Sequence, residues 1–280
     1  MKTLSIGFSP CPNDTYIFCA LVKGHIKVDD FILKPVILED VETLNKWAME
    51  GRLDITKLSF HAFGHVLESY ALLNAGSALG RGCGPLLVSN HVVHPENFAH
   101  LTVAVPGHYT TAAMLLRLHS PVWKKVVTMR FDEIMPAIEA GEVDCGVIIH
   151  ESRFTYQDKG LVLITDLGSW WEEISGHPIP LGGIAVKRSL DREIIAKIDQ
   201  AIKASILWAK KNPLPCRPYI KEHAQELEDS VINDHIGLYV NRYSEDLGVE
   251  GMAAIEFFLK KGQKVGLFHG QAGNSLQVSY

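Results

Sequence analysis

The 280-residue sequence has no CxxC pair, no basic stripe and no long apolar run at its start, and each absence removes a class of function. Its five cysteines, Cys11, Cys19, Cys83, Cys145 and Cys216, are odd in number and unpaired in spacing. Neither a disulfide framework nor a zinc knuckle is indicated, and the thiols read as reduced, buried and inert. Lysines cluster only as pairs such as Lys124-Lys125, Lys210-Lys211 and Lys260-Lys261, and the formal net charge is -5. Without a cationic face to neutralise phosphates, nucleic acid is not an expected partner. The opening MKTLSIGFSPCPND has one lysine and a short apolar run that Pro10 and Pro12 break. That leaves room for neither a secretion signal nor a membrane span, so a cytoplasmic location is expected. What the chain does have is 47% apolar residues, enough for a sizeable core in one large domain or two ordinary ones.

Apolar runs alternate with stretches of helical period. TLSIGF is followed by TYIFCALVKG, FILKPVIL, DVETLNKWAMEGR and LDITKLSF, a strand-helix alternation that predicts a parallel or mixed sheet with helices on its faces. After the polar stretch NHVVHPENFAH the plan restarts with LTVAVPG, TTAAMLLRLHS, KVVTMRF, DEIMPAIEAGE and DCGVIIH. Two similar α/β lobes are expected, with a ligand cleft between them. Beyond IPLGGIAVKR the character turns helical, and Asp191 is placed to cap a helix whose apolar stripe is Ile194, Ile198, Ala201, Ile202 and Ile206.

Three stretches place polar groups after strands, where open α/β sheets collect ligands. In FSPCPNDTYIF the prolines hold a loop in one shape, and Asn13 or Asp14 either faces a ligand or caps a helix starting at Thr15. In VPGHYTTAAMLL, Gly107 and then Tyr109, Thr110 and Thr111 present backbone N–H groups and hydroxyls at a helix start, which suits a carboxylate or phosphate, although threonine there also serves simply as a cap. Ser59 of KLSFHAFG is the counterpart in the first lobe. In GVIIHESRFTY a strand ends at His150 with Glu151 beside it, and histidine is the usual proton carrier near neutral pH.

Other constellations are weaker. His61 and His65 in HAFGH lack the glutamate and third ligand of a zinc protease, so no metal is expected. GSALGRGCGP lacks the GK[ST] ending of a phosphate loop. Cys11 has no nucleophile signature around it, and Trp170, Trp171 and Tyr156 suit either an aromatic ligand wall or a core.

SPCPNDTYIF, GCGPLLVS, VPGHYTTA, IIHESRFTY, PLGGIAVKR and HIGLYVNRYSEDLGVEG occur in this order along nearly the whole chain. Together they resemble the 1,4-dihydroxy-6-naphthoate synthases of the futalosine route to menaquinone. The resemblance implies an α/β, two-lobed type II periplasmic-binding-protein-like fold with a helical C-terminal region. Residues 1–99 and 184–280 would form the larger lobe and residues 100–183 the smaller. It implies a cytoplasmic carbon-carbon lyase acting on cyclic dehypoxanthinyl futalosine, a small molecule carrying a carboxylate, with no cofactor. His150 would be the base, Ser59 and Thr111 would supply ligand-binding hydroxyls, and Thr110 would stand beside them. Asn13 and Asp14 are further candidates for substrate contact; a homodimer is left open. Chorismate dehydratase of the same pathway would share the plan, but SPCPNDT and HESRF are not expected in it. A solute-binding protein that clamps a small anion unchanged would need a leader to reach the outside of the cell.

Overall fold

Strands and helices form where the hydrophobic period of the sequence switches, and Pro or Gly marks most of the changes. A computed structural model describes residues 2–224, 228–268 and 276–277. The chain begins with β1 (Lys2–Phe8), α1 (Pro12–Val22), β2 (Phe31–Leu38), α2 (Val41–Met49), β3 (Ile55–Ser59) and α3 (Phe60–His65). Every residue of β3 is buried, which is why it reads as a run and not as an alternation. Short strands β4 (Tyr70–Leu72), β5 (Ala78–Gly80) and β6 (Leu86–Ser89) follow. The second α/β unit comprises β7 (Thr102–Val105), α4 (Thr111–His119), β8 (Lys125–Thr128), α5 (Ile134–Glu139) and β9 (Cys145–Ile148). The chain returns through α6 (Ser152–Thr155), β10 (Val162–Asp166), α7 (Leu167–Ser175) and β11 (Ile179–Lys187).

Among the described residues two sheets result, ordered β2-β1-β3-β11-β4, with β5 also on β11, and β10-β6-β9-β7-β8. β1 runs parallel to β2 and β3, and β7 runs parallel to β8 and β9. β11 lies antiparallel on β3, and β6 lies antiparallel on β9. The orders β2-β1-β3-β11 and β8-β7-β9-β6 are therefore the same, so the repeated plan in the sequence has a repeated topology behind it.

The expected division at 99/100 and 183/184 needs correcting. Leu86–Ser89 belongs to the second sheet and the whole of Ile179–Lys187 to the first. Each parallel unit borrows its antiparallel strand from across the crossover, and the polar stretch after β6 marks a loop inside the second lobe.

The first helix also starts earlier than expected. Cys11 is its N-cap, without a side-chain cap bond, and Pro12 occupies the first turn. Proline is preorganised there because its missing N–H would lack a helical partner anyway. Asn13 and Asp14 thus lie inside the first turn and do not cap it.

The tail consists of α8 (Arg192–Lys211), α9 (Pro213–His223), α10 (Asp229–Tyr239), α11 (Arg242–Glu245) and α12 (Gly248–Lys264). Residues 225–227 of the expected helical run lie outside the described residues. Ile195, Ile198, Ala201, Ile202 and Ile206 of α8 are buried in one cluster with Ile17 and Phe18 of α1, while Ile194 packs at its margin. The Ser205 hydroxyl donates to the Ile17 carbonyl at 2.6 Å and ties the two helices. Trp171 is fully buried against Phe257 and Phe258 of α12, with ring centres 5.8 and 5.2 Å away, and Tyr156 packs in the second lobe's core. Both are core residues. No helix among the described residues is long and apolar enough to cross a membrane.

Candidate functional site

The C-terminal ends of β1, β3, β7 and β9 converge on one cavity between the sheets. Its wall includes Ser9, Asn13 and Asp14 after β1, Ser59 at the end of β3, Thr110 and Thr111 after β7, and His150 after β9. All six residues singled out in the sequence, Asn13, Asp14, Ser59, Thr110, Thr111 and His150, meet there. Ser59 and His150 occupy matching positions in the two units, each just after or at the end of the strand that pairs with the borrowed antiparallel strand.

The hydroxyls differ in what they have left to offer. Ser59 Oγ accepts from the Asn45 side-chain amide at 3.1 Å, and the Ser59 backbone N–H donates to the Asn45 side-chain oxygen Oδ1 at 2.9 Å. Its own proton therefore remains available to a ligand oxygen. Thr110 caps α4: it accepts from the Ala113 N–H at 3.2 Å and donates to the Gly107 carbonyl at 2.8 Å. Thr111 donates to the Leu181 carbonyl on β11 at 2.6 Å. At the start of α4 the backbone N–H groups of Thr111 and Ala112 have no helical acceptor, whereas that of Ala113 is taken by Thr110.

The loop before α4 is already engaged by the protein itself. The Glu42 carboxylate accepts from the N–H of His108 at 2.9 Å and from that of Tyr109 at 3.1 Å. Gly107 has φ +148, and a Cβ there would come within 2.4 Å of the Glu42 carboxylate, so only glycine permits this approach. Burial raises the Glu42 pKa, with the Asn45, Tyr109 and His108 hydrogen bonds and Lys46 pulling the other way. Together with the bond from the His61 ring to the Thr110 carbonyl at 3.2 Å, Glu42 latches the first lobe to the second.

The same wall carries a buried network that the sequence did not disclose. Asp14 accepts from Lys57 Nζ at 2.7 Å, Asn13 Nδ2 at 2.9 Å and Ser9 Oγ at 2.7 Å. The Lys57 and Asp14 side chains are only 6% and 2% exposed, and Lys57 also donates to the Gly76 carbonyl at 3.2 Å. The available signal was a lysine in the middle of the apolar run LDITKLSF. Because Asn13 Nδ2 faces Asp14, its Oδ1 faces Nε2 of His235, 2.9 Å away, which must carry the proton. Buried His235 is held neutral, its pKa well below the ordinary value because of desolvation and then His150.

His150 has φ 56, the left-handed region, which costs an L-residue on the order of 1–2 kcal/mol and points to a side chain held where it is needed. It is half-buried at the cavity wall, with its ring centre 4.9 Å from Phe131 and 6.1 Å from His235. Burial lowers its pKa to about 4; Asp14 opposes the shift and Lys57 adds to it. The imidazole is therefore neutral near pH 7 and able to accept a proton. Cys11 and Glu151 stand beside it, with one potential ligand atom from each of the three within 4.8 Å of the others. Arg153, on α6, is committed to the fold, donating to the Gly84 carbonyl at 2.5 Å and to Asp166 at 2.9 Å. Tyr239, whose pKa is raised by burial, adds a protonated phenol to the wall.

His61 and His65 line a different cavity of about 380 Å³ together with His108 and Arg117. Burial, and then His65, holds the His61 pKa near 4.

The chain matches, over residues 4–264, a family described as menaquinone biosynthesis. A Thermus thermophilus protein named 1,4-dihydroxy-6-naphthoate synthase is 48% identical over 267 residues, covering 95% of this chain and 96% of its own. A Streptomyces coelicolor protein of the same name is 43% identical over 270 residues, covering 95% and 94%. Among solved structures, an Archaeoglobus fulgidus protein superposes with a TM-score of 0.89 at 31% identity, covering 95% of this chain and 98% of its own. The periplasmic aliphatic sulphonate binding protein of Escherichia coli gives 0.67 at 10% identity, covering 100% and 92%, and shows that the two-lobed fold is periplasmic-binding-protein-like.

Proposed function

This chain belongs to the menaquinone biosynthesis family, and from that premise we propose that it is a carbon-carbon lyase that converts cyclic dehypoxanthinyl futalosine to 1,4-dihydroxy-6-naphthoate. The observation that carries the reading is the neutral His150, held in the left-handed region, at the wall of a cavity that Ser59 and the start of α4 also line. His150 removes the proton next to the substrate ketone, the enolate expels the sugar-derived fragment, and the ring aromatises. Ser59 and the first N–H groups of α4 hold the developing oxyanion and the substrate carboxylate. Burial makes His150 a weak base in the free protein, but an enolate forming beside it favours the imidazolium and restores the driving force for proton transfer.

Mixing the pure protein with cyclic dehypoxanthinyl futalosine and reading the product mass and ultraviolet spectrum tests the reading. A naphthoate chromophore is expected. Consumption of chorismate instead would assign the dehydratase reaction, and tight binding with no conversion of either compound would assign a receptor.

A further inference from the structure

We propose that Cys11, His150 and Glu151 form a binding site for one divalent cation of the zinc class, which clasps the two lobes together and halts turnover. The Cys11 sulfur, a His150 ring nitrogen and a Glu151 carboxylate oxygen all lie within 4.8 Å of one another. Zinc bonds of about 2.0–2.3 Å in a tetrahedron set ligand atoms about 3.3–3.8 Å apart, so shifts of about 1 Å bring the three onto one ion. Thiolate, imidazole and carboxylate suit Zn²⁺ or Co²⁺ and not Ca²⁺ or Mg²⁺, which take oxygen ligands.

Cys11 and Glu151 are each 2% exposed, so only the cavity side of His150 leaves room for a fourth ligand, a water or an anion oxygen. The charges balance: one dication meets one thiolate and one carboxylate, with the thiol proton released to solvent on binding. Position gives the ion its effect. Cys11 caps α1 in the first lobe, whereas His150 and Glu151 leave β9 in the second. The ion would tie the lobes across their cleft and occupy the lone pair with which His150 accepts a proton.

The site stands on geometry alone; the loss of turnover also rests on His150 being the base. Metal-free full-length protein is titrated with CoCl₂, then ZnCl₂, following thiolate-to-cobalt charge-transfer absorption and turnover in parallel. The expected result is one Co²⁺ per chain with a thiolate band, displacement by Zn²⁺, arrested turnover, and recovery on adding a chelator. Cys11→Ser should abolish the band and raise the zinc concentration for half-inhibition at least about tenfold relative to wild type. Glu151→Gln should keep the band but weaken binding, and it carries the comparison should the serine variant fail to fold. No thiolate band in wild type, or equal zinc sensitivity in wild type and both variants, would overturn the proposal and direct attention to His61, His65 and His108. A band with undiminished turnover would uphold the metal site and reject His150 as the base.

Discussion

Lys57 and Asp14 form a buried ion pair in the cleft wall. The Lys57 ammonium and the Asp14 carboxylate are withdrawn from water together, and each is tolerable only because the other, with Ser9, Asn13 and the Gly76 carbonyl, completes its hydrogen bonds. Lys57→Met leaves Asp14 charged and unpaired in a low-dielectric site, which should destabilise the fold by about 3–5 kcal/mol. Pairing it with Asp14→Asn should recover much of that loss, because the uncompensated charge is then gone. Urea denaturation of the three proteins measures this; a single variant as stable as wild type would show that Asp14 does not depend on Lys57. The pair lies 43 positions apart in the chain, so the sequence could mark Lys57 as odd within its strand but could not name its partner.

At the scale of elements, α2 does more than cover a sheet. Glu42 and Asn45, one turn apart, hold respectively the loop before α4 and Ser59 at the end of β3, and they contact each other at 3.3 Å. One helix thereby sets both the interlobe latch and a cavity-facing hydroxyl. Glu42→Gln removes charge-assisted bonds that exist only when the lobes meet, at about 1.5–3 kcal/mol, so KM should rise about ten- to a hundredfold while kcat changes less. Thr111→Val removes one neutral bond to Leu181 and should raise KM by about tenfold at most. Steady-state kinetics decide, and an unchanged KM in Glu42→Gln would remove the latch from the account. Strand-helix alternation was legible because the hydrophobic period changes at marked turns. The exchange of β6 and β11 between lobes was not, because strand pairing is set by distant segments. The loops carrying His150, Ser59 and Thr111 were legible as strand ends. The Glu42 contact, spanning 66 positions, was not.

For the whole molecule, folding around neutral histidines has a pH signature. His61 and His150 are held near pKa 4 by burial, and His235 well below the ordinary value. Unfolded histidines bind protons near pH 6.5, so stability is complete above that value and is lost as pH falls toward the folded pKa values. The loss is on the order of 2 kcal/mol for each of His61 and His150 by pH 5, and His235 acts in the same direction. Asp40, Glu42 and Asp199, whose pKa values burial raises, act with the opposite sign in the carboxylate range. Between pH 7 and 5 the histidines dominate, and Tm should fall by at least about 5 °C. A Tm unchanged across that interval would mean that the folded protein accommodates charged imidazoles.

The proposed chemistry rests on one side chain at the meeting point of the lobes. The most direct measurement is turnover of cyclic dehypoxanthinyl futalosine by His150→Asn, a substitution whose side chain tolerates the left-handed backbone at that position. A fall of roughly 100-fold or more in naphthoate formation, with Tm at pH 7 close to that of wild type, is predicted. Near-normal turnover in the folded variant would contradict His150 as the base and, with it, the mechanism drawn from this cleft.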